Sequence, residues 1–118
     1  MRIEKQCEVL QIENSDISRS HFHDVNFSGA MIDDVNMSRI SISRANLAGA
    51  VFDDSTMPGA RLHNMNLSGT SFDDVNMAHV VIENANLSGL IIRNCNLDAM
   101  AIDGIPVADL LAAYREKH

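Results

Sequence analysis

The chain has 118 residues, 46% of them apolar, and carries 16 Asp and Glu against 9 Lys and Arg, a formal net charge of −7. That length makes one domain with a core of its own, and the acidic balance with 4% aromatic residues and no Trp argues against direct nucleic-acid binding. No run approaches the roughly 18 apolar residues of a membrane span, and residues 1–11 carry charges where a secretory signal needs an apolar core, so a cytoplasmic protein without membrane contact is expected.

Residues 1–9 fall outside the pattern that governs the rest of the chain, because the five-residue frame would point Lys5 inward. They are expected to form an N-terminal cap. From Leu10 to Gly104 the chain repeats with a period of five. Stepping from Ile12 through Ile17, Phe22, Phe27 and Ile32 to Ile102, all 19 positions are large and apolar. Two residues before each stands a residue that is usually smaller, such as Ala30, Ala50, Ala60 or Cys95. A pair spaced by two points to one side of a strand. Between them lies an outward residue, often Asn, as at Asn26, Asn36, Asn46, Asn66, Asn76, Asn86 and Asn96. Every Gly falls two after the large residue, where a turn needs positive φ, and Pro58-Gly59 has the order of a type II turn.

A short strand plus a corner every five residues closes into a coil, and coils must stack to satisfy their backbone groups. MIDDVNMS at Met31 to Ser38, VFDDSTMP at Val51 to Pro58 and SFDDVNMA at Ser71 to Ala78 recur every 20 residues, so four units make one square coil. Faces one to four are numbered from Ile12. Stacked amides on the Asn faces are expected to hydrogen-bond between coils.

Ala45-Asn46-Leu47, Ala85-Asn86-Leu87 and Cys95-Asn96-Leu97 match A(D/N)LXX, and the chain thereby resembles the pentapeptide repeat family. The resemblance implies an all-β, right-handed quadrilateral β-helix over residues 10–104, of nearly five coils. Ile40, Met65, Leu90 and Met100 exceed the family's usual small inward residue and are expected to disturb the coils locally.

Residues 105–118 are expected to form a short C-terminal α-helix. Pro106 suits its first turn, and Val107, Leu110, Leu111 and Tyr114 fall at i, i+3, i+4 and i+7. This stripe either lids the last coil or forms a homodimer contact, as C-terminal elements do in some family members.

Candidate chemistry is sparse. Cys7 and Cys95 lie about four coils apart, near 20 Å at roughly 4.8 Å per coil, too far for a disulfide. His23 and His63 share a column with Ser43 between them, about 10 Å apart, too far for one metal ion. No Ser or Cys has a recognisable base and orienting partner, so neither enzyme activity nor a cofactor nor a metal is expected.

The candidate interaction surface is face one. Met31, Val51 and Ile91 lie at its outward positions beside a corner where Asp33, Asp34, Asp53, Asp54, Asp73 and Asp74 recur. Two carboxylates per coil give about one charge per 2.4 Å, against one per 1.7 Å of duplex DNA. This is similar to the acidic surface by which quinolone-resistance members of the family imitate DNA to protect gyrase, a type II topoisomerase. The leading expectation is a docking face for a protein partner whose identity the sequence does not name. DNA mimicry is the alternative, and solvated turn residues are the third reading.

Overall fold

The computed structural model describes residues 11–117, so the expected cap over residues 1–9, with Cys7, lies outside the described residues. Strands β1 (Gln11–Glu13), β3 (Met31–Asp33), β5 (Val51–Asp53), β7 (Ser71–Asp73) and β9 (Ile91–Arg93) stack in parallel as face one. Each residue pairs with the one 20 positions on, as in Ile32↔Phe52 and Phe52↔Phe72. The second sheet contains β2 (His21–His23), β4 (Ser41–Asn46), β6 (Arg61–Asn66), β8 (Val81–Asn86), β10 (Ala101–Ile102) and β11 (Ile105–Pro106). Its first residues form face three, and β4, β6 and β8 run through the corner into face four, where Ala45 pairs with Met65 and Met65 with Ala85. Single bridges join face two through Asn36, Thr56, Asn76 and Asn96. The result is a right-handed β-solenoid of about five coils with one short C-terminal helix.

What bends the chain is a left-handed residue at every corner. From Asn14 to Gly104 every fifth residue has φ between 47° and 77°. After faces two and four the corner closes with an i+3 bond, such as Ala60 N–H to the Met57 carbonyl at 3.2 Å. Pro58 presets the first turn residue there, and Gly59 supplies φ of 72° without the penalty a Cβ brings. After faces one and three the left-handed residue is mostly Asn or Asp, including Asp34, Asp54 and Asp74. Short polar side chains tolerate that conformation. The second Asp of each pair therefore has a local conformational reason to be there.

The Asn columns act differently from the expected ladders. Each Oδ1 accepts the backbone N–H two residues on in its own coil, for example Asn46 from Ala48 at 3.0 Å and Asn76 from Ala78 at 3.1 Å. The amide locks a corner with an Asx-turn rather than bridging coils through its oxygen.

Inside, the columns pack closely in the middle coils. The rings of Phe52 and Phe72 stack with centroids 4.6 Å apart, and Met37, Met57, Met77, Leu47 and Leu67 are buried. Coil regularity survives the oversized inward residues, since Ile40, Met65 and Met100 are buried and the 20-residue register continues past them. Inward polar groups are satisfied locally: Thr70 Oγ1 donates to the Leu47 carbonyl at 2.7 Å, and Ser55 Oγ to that of Asp53 at 2.9 Å. Towards the C-terminal end Leu87, Leu90, Ile92, Leu97 and Ile102 are only partly buried.

That end is closed on one face only. Asp103 and Gly104, with φ of 48° and 77°, turn the chain back so that β11 pairs antiparallel with β10. Two consecutive residues at positive φ suit a tight hairpin. The helix α1 (Val107–Lys117) follows directly, so Pro106 ends a strand instead of occupying the helix's first turn. Of the expected stripe Val107 is buried, whereas Leu110, Leu111 and Tyr114 are exposed. The stripe as a whole does not lie on the last coil.

Candidate interaction faces

Face one presents Met31, Val51 and Ile91, 51%, 42% and 41% exposed, in one column at the centre of parallel strands. Ser71, between Val51 and Ile91, is half-buried. Beside this column Asp33, Asp53 and Asp73 stand in direct register. Glu13 pairs with Asp33 and extends the acidic row by one coil, while Arg93 pairs with Asp73 and ends it. Strand register with a period of 20 would have revealed Glu13 in the sequence; it was missed because Glu13 lacks the Asp-Asp signature. The second carboxylates, Asp34, Asp54 and Asp74, line a shallow groove on the face-two side with Asp16, Asn36, Thr56 and Asn76. The structure thus brings all six aspartates to one corner but divides them between two faces.

The crowding has an electrostatic signature. The carboxyl of Asp54 is held above its ordinary pKa, chiefly by the neighbouring charge of Asp53 and then by that of Asp74. Among the described residues no cation forms an ion pair with any of the six. Asn94 Nδ2 donates to Asp73 Oδ1 at 3.2 Å, a direct side-chain bond to the outer row.

The opposite side of the tube has a different character. His21, His23, His63 and Arg61 lie on face three, with Arg19, Arg39, His79 and Arg44 at its corners, so four of the five arginines between residues 12 and 104 flank this face. Here the structure corrects the expectation that no serine has a base and an orienting partner. His23 Nδ1 lies 2.9 Å from Ser43 Oγ, and His23 Nε2 lies 3.2 Å from Asp24 Oδ2. Arg44 Nε holds the other oxygen of Asp24 at 3.2 Å. The signal was the 20-residue register of His23 and Ser43. The set is an ion-paired surface network: Ser43 sits within β4, paired on both sides, where the ladder engages the backbone N–H groups an oxyanion site needs.

Cys95, expected in the core, is only partly buried because the last coil is open, and its Sγ lies 3.0 Å from the Arg93 carbonyl oxygen. Among the described residues no three His, Cys, Asp or Glu side chains converge as a metal site, and no helix is long and apolar enough to cross a membrane.

Comparison with known proteins speaks to the fold. A pentapeptide repeat protein, Rfr23, from the cyanobacterium Cyanothece 51142 superposes with a TM-score of 0.76 at 17% identity, covering 83% of this chain and 67% of that one. HetL, a pentapeptide repeat protein involved in heterocyst differentiation regulation from Nostoc sp. strain PCC 7120, matches at 19% identity with a TM-score of 0.38, covering 79% of this chain. This chain spans 47% of HetL. QnrB1, a plasmid-mediated fluoroquinolone resistance protein, matches at 17% identity with a TM-score of 0.28, covering 81% of this chain and 71% of its own. At these identities the likeness concerns architecture, and only the first superposition is close. No curated protein matches the chain. The family profile for pentapeptide repeats, however, matches residues 36–74 and 66–98 in eight copies, together more than half of the sequence, and the chain belongs to the pentapeptide repeat family.

Proposed function

We propose that this chain is a non-catalytic protein-interaction module of the cytoplasm whose docking surface is face one and its acidic corner. The observation that carries this reading is the column of Met31, Val51 and Ile91, each more than 40% exposed, beside carboxylates that no described cation neutralises. Large apolar side chains gathered at one site rather than scattered mark contact surfaces. A complementary partner presents apolar side chains flanked by Lys or Arg. Such a partner relieves the repulsion around Asp54 and covers the apolar column in one step. The test is capture of partners from a soluble extract by wild-type protein and by the double variant Met31→Lys/Ile91→Lys. Both positions are exposed, so the variant keeps the wild-type melting temperature and loses the specific partner. Equal capture by both proteins overturns the assignment.

A second reading is DNA mimicry towards a type II topoisomerase, favoured by the in-register row Glu13, Asp33, Asp53 and Asp73. A supercoiling assay with purified gyrase decides it. Neither inhibition nor protection at micromolar protein removes this reading and leaves the first intact.

The C-terminal end supports self-association as a separate contact. Leu110, Leu111 and Tyr114 project from α1 near a last coil whose Leu87, Leu90 and Leu97 are half-covered. A second copy is the occupant proposed for this surface. Sedimentation is expected to show a dimer that Leu110→Lys/Leu111→Lys converts to monomer; a monomeric wild type at about 100 μM contradicts it.

A further inference from the structure

We propose that the depression where face three meets the corner after face two binds a phosphoryl dianion, free or carried on a small molecule. It is lined by His21, Arg39, Ile40, Ser41, Gly59 and Arg61, with a volume of about 480 Å³, the size range of small-molecule sites. This site lies across the tube from the docking face and does not depend on it.

The charge arrangement is the first argument. In a chain of net charge −7, two guanidiniums and an imidazole line one depression that contains no carboxylate. The neighbouring basic side chains are already engaged. His23 and Arg44 share Asp24, and His63 meets Glu83 at 3.6 Å. Among the described residues Arg39, Arg61, His21 and the Ser41 hydroxyl have no such side-chain partner. Like charges placed together without a counter-charge favour an anion between them.

The second argument is steric. In the column Arg19, Arg39, Gly59, His79, Ala99, the single glycine stands one coil above Arg39. A Cβ at Gly59 would lie 3.4 Å from Arg39 Cγ, so the arginine stem runs over a position left bare and faces the same depression as Arg61. Ser41 pairs with both His21 and Arg61 in the ladder, which places its hydroxyl between them.

The donor set then selects the ligand. Two planar guanidiniums each offer paired N–H donors matched to phosphoryl oxygens, and a hydroxyl and a ring N–H supply further donors. The overall negative charge of the chain repels long polyanions, so a small phosphorylated compound fits where a nucleic acid does not.

The test is an NMR titration at constant ionic strength with inorganic phosphate and, separately, O-phospho-L-serine. Saturable shifts are expected at His21, Arg39, Ser41 and Arg61, with a dissociation constant on the order of 1 mM. Arg39→Ala and Arg61→Ala each weaken binding about tenfold or more. Ser41→Asp, which puts a carboxylate into the depression, abolishes it, while Arg93→Ala on face one leaves it unchanged. Melting temperatures of all variants establish that they are folded. Tighter binding of phosphoserine assigns a carried phosphoryl group; equal or weaker binding assigns free phosphate. Absence of saturation for both compounds up to about 50 mM, or undiminished binding by folded Arg39→Ala/Arg61→Ala, overturns the proposal.

Discussion

At the residue scale the fold depends on backbone conformations that most side chains resist. Ala99 has φ of 57°, a region that costs an L-residue roughly 1–2 kcal/mol, although glycine returns part of that through its freedom in the unfolded chain. Ala99→Gly is therefore expected to stabilise the protein by about 0.5–1 kcal/mol in denaturant titrations. Conversely, a Cβ at Gly49 would meet nothing within 4 Å, yet φ there is 72°, so Gly49→Ala isolates the conformational penalty from crowding. A loss of about 1–2 kcal/mol is expected, and a neutral result would contradict the corner argument. Asp54 tests electrostatics at the same scale. Its raised pKa means that the folded protein binds the proton more readily than the unfolded chain, so the stability linked to it is present at low pH and lost as pH rises through the folded pKa. Asp54→Asn, which also tolerates positive φ, should raise the melting temperature at pH 7. The gain should vanish below the ordinary carboxylate pKa of 3.8 and shrink in high salt. Much of this scale was hidden in the sequence. Glycine marked only some of the corners, whereas Arg19, Arg39, Arg44 and His79 adopt the same φ without any signature in their identity.

At the element scale the unit is a three-residue strand held by its neighbours above and below. This part was legible, because the large residues at intervals of five and the repeated octapeptides at intervals of 20 leave one register that buries them all. What the pattern did not reveal is the difference between middle and end coils. Phe72 and Leu67 are fully buried, but Leu97, on an equivalent inward position, is only partly buried because little lies beyond it. Phe72→Ala and Leu67→Ala should cost about 3–5 and 2–5 kcal/mol respectively, and Leu97→Ala clearly less than Leu67→Ala. Equal costs at Leu67 and Leu97 would mean that another element, or a second copy, covers the last coil. The asparagine columns were legible as outward positions, but period alone could not show their oxygens turning back to the N–H two residues on.

At the scale of the whole molecule the net charge of −7 resolves into sides. Residues 12–104 hold 12 acidic and 5 basic residues, and the flanks hold four of each, so the solenoid carries all of the excess. Within it, face one and its corner gather Glu13 and six aspartates, and the opposite face gathers the histidines and most arginines. The acidic corner could be read from the Asp-Asp repeats. The basic side could not, since its members share no motif and meet only through register, as His21, Ser41 and Arg61 do. The acidic side with its apolar column, face one, is the proposed surface by which this molecule engages a protein. Calorimetric titration of the partner captured by wild-type protein tests it most directly, with wild type and Met31→Lys/Ile91→Lys compared at low and high salt. Binding is expected to weaken with salt for wild type and to fall at least about 100-fold in the folded variant. Equal affinity of the two proteins would contradict it.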